Sequence, residues 1–275
     1  MVIHPLQTGT VRVKQFQLTG AKNILSRLYQ LIFTQKWGEW LPIYSWLIEI
    51  DGKLILIDTG ETSKIYEKNY LPEGGLYHKS VQTRIKKEEE INFQISSLGY
   101  QIEDIKTIIL THLHGDHIGG IQYFPKANFL VSQTEYELAT SKKGQNNGYF
   151  KKNWPSWFSP NLIKYNNQAE GVFNQSYHLQ ESKKIIIVPT PGHSIGHQSV
   201  IIKTKSVTYF IGGDLTYNIE TLKKEIPNVT IMNKEAIKSV SKVHEYVKSN
   251  SCVYLSSHDW NVSKMITNNI TYNKL

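Results

Sequence analysis

The sequence predicts an α/β chain folded as an αββα sandwich, with its chemically active groups on loops at one edge of the two sheets. Three observations carry this expectation. Apolar strand-like runs recur in two separate halves of the 275-residue chain, each half has its own amphipathic helices, and no Pro/Ser-rich linker divides them. A short buried run, TIIL at 107–110, delivers the chain into THLHGDHIGG, a segment dense in metal-binding residue types. Three more such residues, His193, Asp214 and His258, each follow another apolar run, so one sheet edge would gather them. One domain over 1–275 is expected, large enough to bury a core without a disulfide or metal staple.

In chain order, VRVKQFQL at 11–18 alternates Val11, Val13, Phe16 and Leu18 imperfectly and reads as a strand. Residues 24–32 place Ile24, Leu25, Leu28, Leu31 and Ile32 at helical spacing. That face either packs on the core or, with Trp37 and Trp40 close behind, lines a substrate entrance. IYSWLIEI at 43–50 and KLILIDTG at 53–60 are separated by Asp51-Gly52, which predicts a hairpin. A helix is expected over 84–98, with Ile91, Ile95 and Leu98 on one face and Gly99 as its stop.

After TIIL come a strand at NFLVS (128–132), a helix from Gln133, and a long polar segment to about residue 180 that holds Trp154, Trp157 and Phe158. Strands follow at KKIIIVP, QSVIIK and VTYFIGG. A helix with Ile237, Val240, Val243 and Val247 on one face precedes the last strand, CVYLSS.

Lys and Arg exceed Asp and Glu by 31 − 23 = 8 charges, a surplus spread along the chain and only a weak pointer to nucleic acid or anionic surfaces. The single cysteine, Cys252, excludes an internal disulfide framework and fits a reducing compartment. Lying within a strand, it reads as buried and inert. The first twenty residues lack the order of a signal peptide. No apolar run approaches the roughly 18 residues that span a bilayer. A cytoplasmic protein with no membrane partner is expected.

The segment Thr111–His117 is the most informative. His112 and His114, two apart, project to the same side of an extended backbone. Asp116 and His117 follow Gly115, which can turn the chain so that they face a neighbouring point. Open catalytic zinc sites take three protein ligands and a water. Four ligand types in six positions exceed what one tetrahedral site can use on so short a loop, so two adjacent metals fit better. A polar loop of ordinary surface histidines is the plain alternative. His193, Asp214 and His258 would complete the set, with Asp214 able to bridge. Asp58, ending the run IDTG, reads as an orienter of a ligand histidine.

His112-x-His114-x-Asp116-His117, followed by His193, Asp214 and His258, resembles the metallo-β-lactamase superfamily from PIYSWLIEI through SSHDW. The resemblance implies the αββα fold of that family and two zinc ions per chain. His112, His114 and His193 would hold one ion, Asp116, His117 and His258 the other, and Asp214 would bridge them. TPGHSIGHQSV and GGDLTY are most similar to N-acyl-homoserine lactone lactonases, the quorum-quenching hydrolases. By that resemblance a metal-bridging hydroxide opens the lactone of an acyl-homoserine lactone, Tyr217 donates to the substrate, and Asp116 passes a proton to the leaving oxygen.

Gly115 stands where some relatives carry an aromatic residue that contacts substrate. The missing wall would then come from Trp37, Trp40 or the Trp154–Phe158 loop. His197 reads as a brace for the loop of His193. Rival readings are a glyoxalase-type thioester hydrolase, a metal-dependent phosphodiesterase or nucleic-acid-processing protein, and a non-catalytic metal-binding module. The expected partner is a small-molecule substrate and not nucleic acid; a homodimer is compatible with the sequence.

Overall fold

A computed structural model describes residues 1–18, 34–71, 79–144, 147–230 and 233–274. The hairpin expected around Asp51-Gly52 organises its first sheet. Strand β2 (Leu41–Ile50) pairs antiparallel with β3 (Lys53–Ile57), Ile50 opposite Lys53. Asp51 and Gly52 both take positive φ, 52° and 73°, as a two-residue turn matched to strand twist requires.

Around that hairpin, among the described residues, seven strands run in the order β4-β1-β2-β3-β5-β6-β7. The added strands are β1 (Val2–Val13), β4 (Val81–Arg84), β5 (Thr107–Ile109), β6 (Asn128–Ser132) and β7 (Asn161–Ile163). A second sheet runs β12-β11-β10-β9-β8. It holds β8 (Tyr177–His178), β9 (Ile185–Pro189), β10 (Gln198–Lys203), β11 (Thr208–Gly213) and β12 (Cys252–Ser256).

Strand alternation sorts the side chains into layers. Trp46, Ile48, Ile55, Ile57 and Ile109 face Ile185, Ile187, Ile211, Val253 and Leu255 between the two sheets. Leu47, Leu56 and Ile108 point the other way, onto Ile91 and Ile95 of the helix Ile91–Ser97. Ile186, Val188, Phe210 and Tyr254 likewise meet Val240, Val243 and Val247 of the helix Asn233–Ser249. The result is the expected αββα stack.

Several boundaries differ from expectation. β1 begins nine residues before the expected strand and ends at Val13, because Lys14 N–H bonds the Gln17 side chain and turns Gln15–Leu18 into a short helix. The helix expected from 84 begins at Ile91, since residues 81–84 pair with β1 as an edge strand. Gly99 ends it with φ 87°. Leu98 and Ile237 lie exposed at the margins of their helical faces. The long polar segment contributes two short strands, β7 and β8, one to each sheet. The helix expected at 24–32 lies outside the described residues. Cys252 is fully buried, and burial raises its thiol pKa, in keeping with an inert role. Among the described residues no helix is long and apolar enough to cross a membrane.

Candidate metal centre

Four strand ends deliver the expected ligands. β5 from the large sheet leads into Thr111–His117, while β9, β11 and β12 of the small sheet lead to His193, Asp214 and His258. The two sheets therefore meet at one edge over a set of imidazoles and carboxylates.

Three inner nitrogens converge first. His112 Nε2 lies 3.0 Å from His114 Nδ1, which lies 2.9 Å from His193 Nε2. The outer nitrogens of two of these rings already face carbonyls: His114 Nε2 is 2.9 Å from Asn147 O and His193 Nδ1 is 2.5 Å from Val229 O. A neutral imidazole has one N–H. With it spent outward, the inner nitrogens present lone pairs to each other, an arrangement that a cation resolves.

The second group lies alongside. His117 Nε2 and His258 Nε2 are each 3.1 Å from Asp214 Oδ1, and 3.9 and 3.8 Å from Asp116 Oδ2. Asp214 Oδ2 is 3.6 Å from His193 Nε2, so one carboxylate touches both groups. Its Oδ2 also accepts from Asn228 Nδ2 at 3.2 Å. His117 Nε2 and Asp214 Oδ1 are thus buried against each other, with no other kind of partner than this cluster of imidazoles and carboxylates. The donor set of nitrogen and carboxylate ligands fits zinc, and sets of these residues sit close enough to hold metal ions.

Two of the candidate ligands, His117 and His258, are held from behind. Asp58, at φ 58°, accepts at 2.7 Å from Thr111 N and at 2.8 Å from Thr111 Oγ1, and its Oδ2 lies 2.8 Å from His117 Nδ1. The orienting role expected of Asp58 therefore falls on His117. His258 Nδ1 lies 2.7 Å from Pro42 O.

Electrostatics separates the histidines. Burial pushes His112 and His193 well below the ordinary imidazole pKa. Burial opposes charge on His117 too, but the carboxylates of Asp214, Asp58 and Asp116 outweigh it and hold its pKa well above the ordinary value. Burial likewise works against an ionised Asp214, and His258, His117 and His193 reverse that, so its carboxyl stays well below the usual range.

His197 braces more than the loop of His193. Burial holds its pKa near 4, so the neutral ring can accept from Asp214 N at 3.1 Å. Gly213 leaves room for that contact, because a Cβ there, at φ +55°, would stand 2.8 Å from His197 Nε2.

Two acidic residues near the centre were not expected. Glu135 is fully buried and accepts from Leu113 N at 3.1 Å, Tyr149 Oη at 2.8 Å, Ser194 Oγ at 2.7 Å and Gly196 N at 3.0 Å. It ties the His112–His114 loop to the His193 loop. Glu61 follows Asp58-Thr59-Gly60 and is only 1% exposed; burial pushes its carboxyl up to about 8. An acidic residue directly after IDTG is the one local signal that could have pointed to it.

Tyr217 is brought to the centre, its ring centroid 6.2 Å from that of His258. The aromatic candidates divide. Trp154 lines a cleft beside Gly115, together with Phe150, Glu61, Gly119 and Gln122. Trp157 is 40% exposed and leans against Phe129, while Phe158 is core. Trp37 and Trp40 are faced by Arg12, and Arg84 also lies over Trp40. Two histidines without a motif have structural partners, His4 with Glu49 and His244 with Glu225 and Tyr272.

The family model of the metallo-beta-lactamase superfamily matches residues 38–247. An N-acyl homoserine lactonase of Bacillus cereus is 29% identical over 80% of this chain and 82% of its own length. The N-acyl homoserine lactonase AttM of Rhizobium radiobacter is 26% identical over the same shares. A solved N-acyl homoserine lactone hydrolase, holding N-hexanoyl-L-homoserine at its catalytic metal centre, superposes with a TM-score of 0.75 at 24% identity, covering 95% of this chain and 94% of that one. AidC, a dizinc quorum-quenching lactonase, superposes with a TM-score of 0.64 at 18% identity over 94% and 87%.

Proposed function

Because the chain belongs to the metallo-beta-lactamase superfamily, we propose that it is a zinc-dependent hydrolase that opens the lactone ring of N-acyl-homoserine lactones, a quorum-quenching activity. The chain would act as one domain over 1–275. The observation that carries the reading is the pair of adjoining, buried donor groups sharing Asp214. Similarity to curated lactonases over most of the chain supports the substrate class.

His112, His114 and His193 are assigned to one zinc ion, Asp116, His117 and His258 to the other, and Asp214 to both. Bound zinc supplies Lewis acidity and brings a water toward ionisation at neutral pH. The protein's own groups do the rest. Tyr217, beside His258, donates a hydrogen bond to the lactone carbonyl or ring oxygen as negative charge grows there. Asp116 has the more exposed of the two carboxylates facing His117 and His258, with 16% of its side chain open against 7% for Asp214. It carries the proton to the departing ring oxygen. The carbonyl carbon gains the water oxygen, the ring C–O bond breaks, and the product is an N-acyl-homoserine.

The test is a pH-indicator assay of ring opening on acyl-homoserine lactones of several lengths, beside a thioester and a phosphodiester. Lactones should be opened and the other two left largely intact; preference for either rival substrate would replace this reading. Tyr217→Phe should lower kcat on the order of 10²-fold, the loss typical of one transition-state donor. Normal kcat in that variant would remove Tyr217 from the chemistry.

The apolar tail should lie along Trp154 in the cleft, not along Trp157. A tail methylene that leaves water contributes about 0.8 kcal/mol. Trp154→Ala should therefore raise KM more for long chains than for short ones, with kcat little changed, because uniform binding is lost. Steady-state kinetics across chain lengths checks this, with Trp157→Ala as the comparison.

A further inference from the structure

Glu61 is a buried carboxyl that the proposed chemistry does not use. It lies in the loop after β3, in a cleft also lined by Gly115, Ile118 and Gly119, the neighbours of Asp116. Its Oε1 accepts from Thr62 N at 2.9 Å. The carboxyl occupies room left by two glycines one helical turn apart. A Cβ at Gly115 would lie 2.9 Å from Glu61 Oε2, and one at Gly119 would lie 2.5 Å from Oε1. Gly115 thus leaves room for the Glu61 carboxyl where it stands, and a side chain at 115 would displace it.

The same cleft offers a donor. Gln122 Oε1 is engaged by Lys64 Nζ, while Gln122 Nε2 is buried with no hydrogen-bond partner. Around these polar atoms stand Leu113, Ile118, Phe150 and Trp154. The cleft therefore combines an apolar wall with one carboxyl and one amide donor.

We propose that this cleft is an acyl subsite selective for chains bearing a hydroxyl on one of their first carbons, bound by Glu61 and Gln122. A hydroxyl is both donor and acceptor, so it can donate to the carboxylate and accept from Gln122 Nε2. It can also accept from the carboxyl if that group is protonated, so the pairing survives either state of Glu61. An unsubstituted methylene chain would cover Glu61 Oε2 and Gln122 Nε2 and bond neither, the situation that makes hydrogen-bonding sites reject analogues lacking the polar group. The inference rests on the lactonase reading and names the substrate class within it.

The test compares kcat/KM for a 3-hydroxyacyl-homoserine lactone and the unsubstituted lactone of equal chain length. The zinc-loaded parent should prefer the hydroxylated substrate at least tenfold. In Glu61→Leu the ratio should fall to near one, mainly through KM for the hydroxylated chain, with zinc content and melting temperature reporting on the fold. Gln122→Leu, at a partly exposed position, should lower the ratio as well and serves if Glu61→Leu does not fold. Calorimetric binding of the two ring-opened products should follow the same order. A parent ratio near one, or a ratio unmoved by the variants that fold, overturns this inference alone. A parent that opens neither lactone overturns the lactonase reading, and the subsite with it.

Discussion

Asp214→Ala is expected to lose at least one zinc ion and to lower turnover by about 10³-fold or more. The carboxylate is 5% exposed and stands 3.1 Å from both His117 Nε2 and His258 Nε2 through one oxygen. Its other oxygen reaches toward His193 at 3.6 Å. Removing it leaves three imidazoles without their shared counter-charge. Shared between two metal ions, it would also hold them at a fixed spacing. Loss of several kcal/mol of transition-state stabilisation corresponds to that drop in rate, since each 1.36 kcal/mol or so is tenfold. Elemental analysis with the ring-opening assay checks it, and wild-type kinetics in the variant would remove Asp214 from the centre.

The second large effect is expected at Glu135, which touches no proposed ligand side chain. Its carboxylate receives Leu113 N–H from one ligand loop, Ser194 Oγ–H and Gly196 N–H from the other, and the Tyr149 hydroxyl from a third segment. In Glu135→Ala the hydroxyls can rotate toward other partners, but Leu113 N and Gly196 N cannot. Each stranded buried donor costs about 1–3 kcal/mol, so a loss of stability on the order of 3 kcal/mol or more is expected. Zinc affinity should fall with it, because the two loops are no longer tied. Glu135→Gln, which keeps one acceptor oxygen, should recover part of both losses. Denaturant unfolding and zinc titration of the two variants provide the measurement. Unchanged zinc affinity in a destabilised Glu135→Ala would confine the residue to folding.

The proposed ligands were legible because each lies in or just beyond a strong apolar strand, where pattern alone fixes the neighbourhood. His112, His114, Asp116 and His117 follow TIIL, and His193, Asp214 and His258 follow IIIVP, YFIGG and CVYLS. The hairpin at Asp51-Gly52 was readable for the same reason: turn chemistry is local. Glu135 and Glu61 were not, because neither makes sense until the sheets bring another loop against it. Glu135 looks like an ordinary acidic residue in a helix, and its four donors come from positions 113, 149, 194 and 196. The helix read over 84–98 was begun too early, because Arg84 belongs to an edge strand whose pairing with β1 is tertiary, and the helical pattern becomes real only at Ile91. Among the aromatics, composition could not distinguish Trp154, which lines the cleft, from Trp157, which lies on the surface.

The contact between His258 Nδ1 and Pro42 O joins positions 216 residues apart. Tyr44 N donates to Ser257 O at 3.0 Å in the same place. The opening strand of the central hairpin and the final strand of the second sheet are thus laced together where the ligands meet. An ion seated there recognises the finished chain and not a fragment of it. Ligands that bind only the folded form add stability as RT ln(1 + [L]/Kd), about 2.7 kcal/mol at a hundredfold excess over Kd. A chelator should therefore act on this protein as a mild denaturant, lowering the midpoint of the whole unfolding transition and not merely silencing one edge of the sandwich.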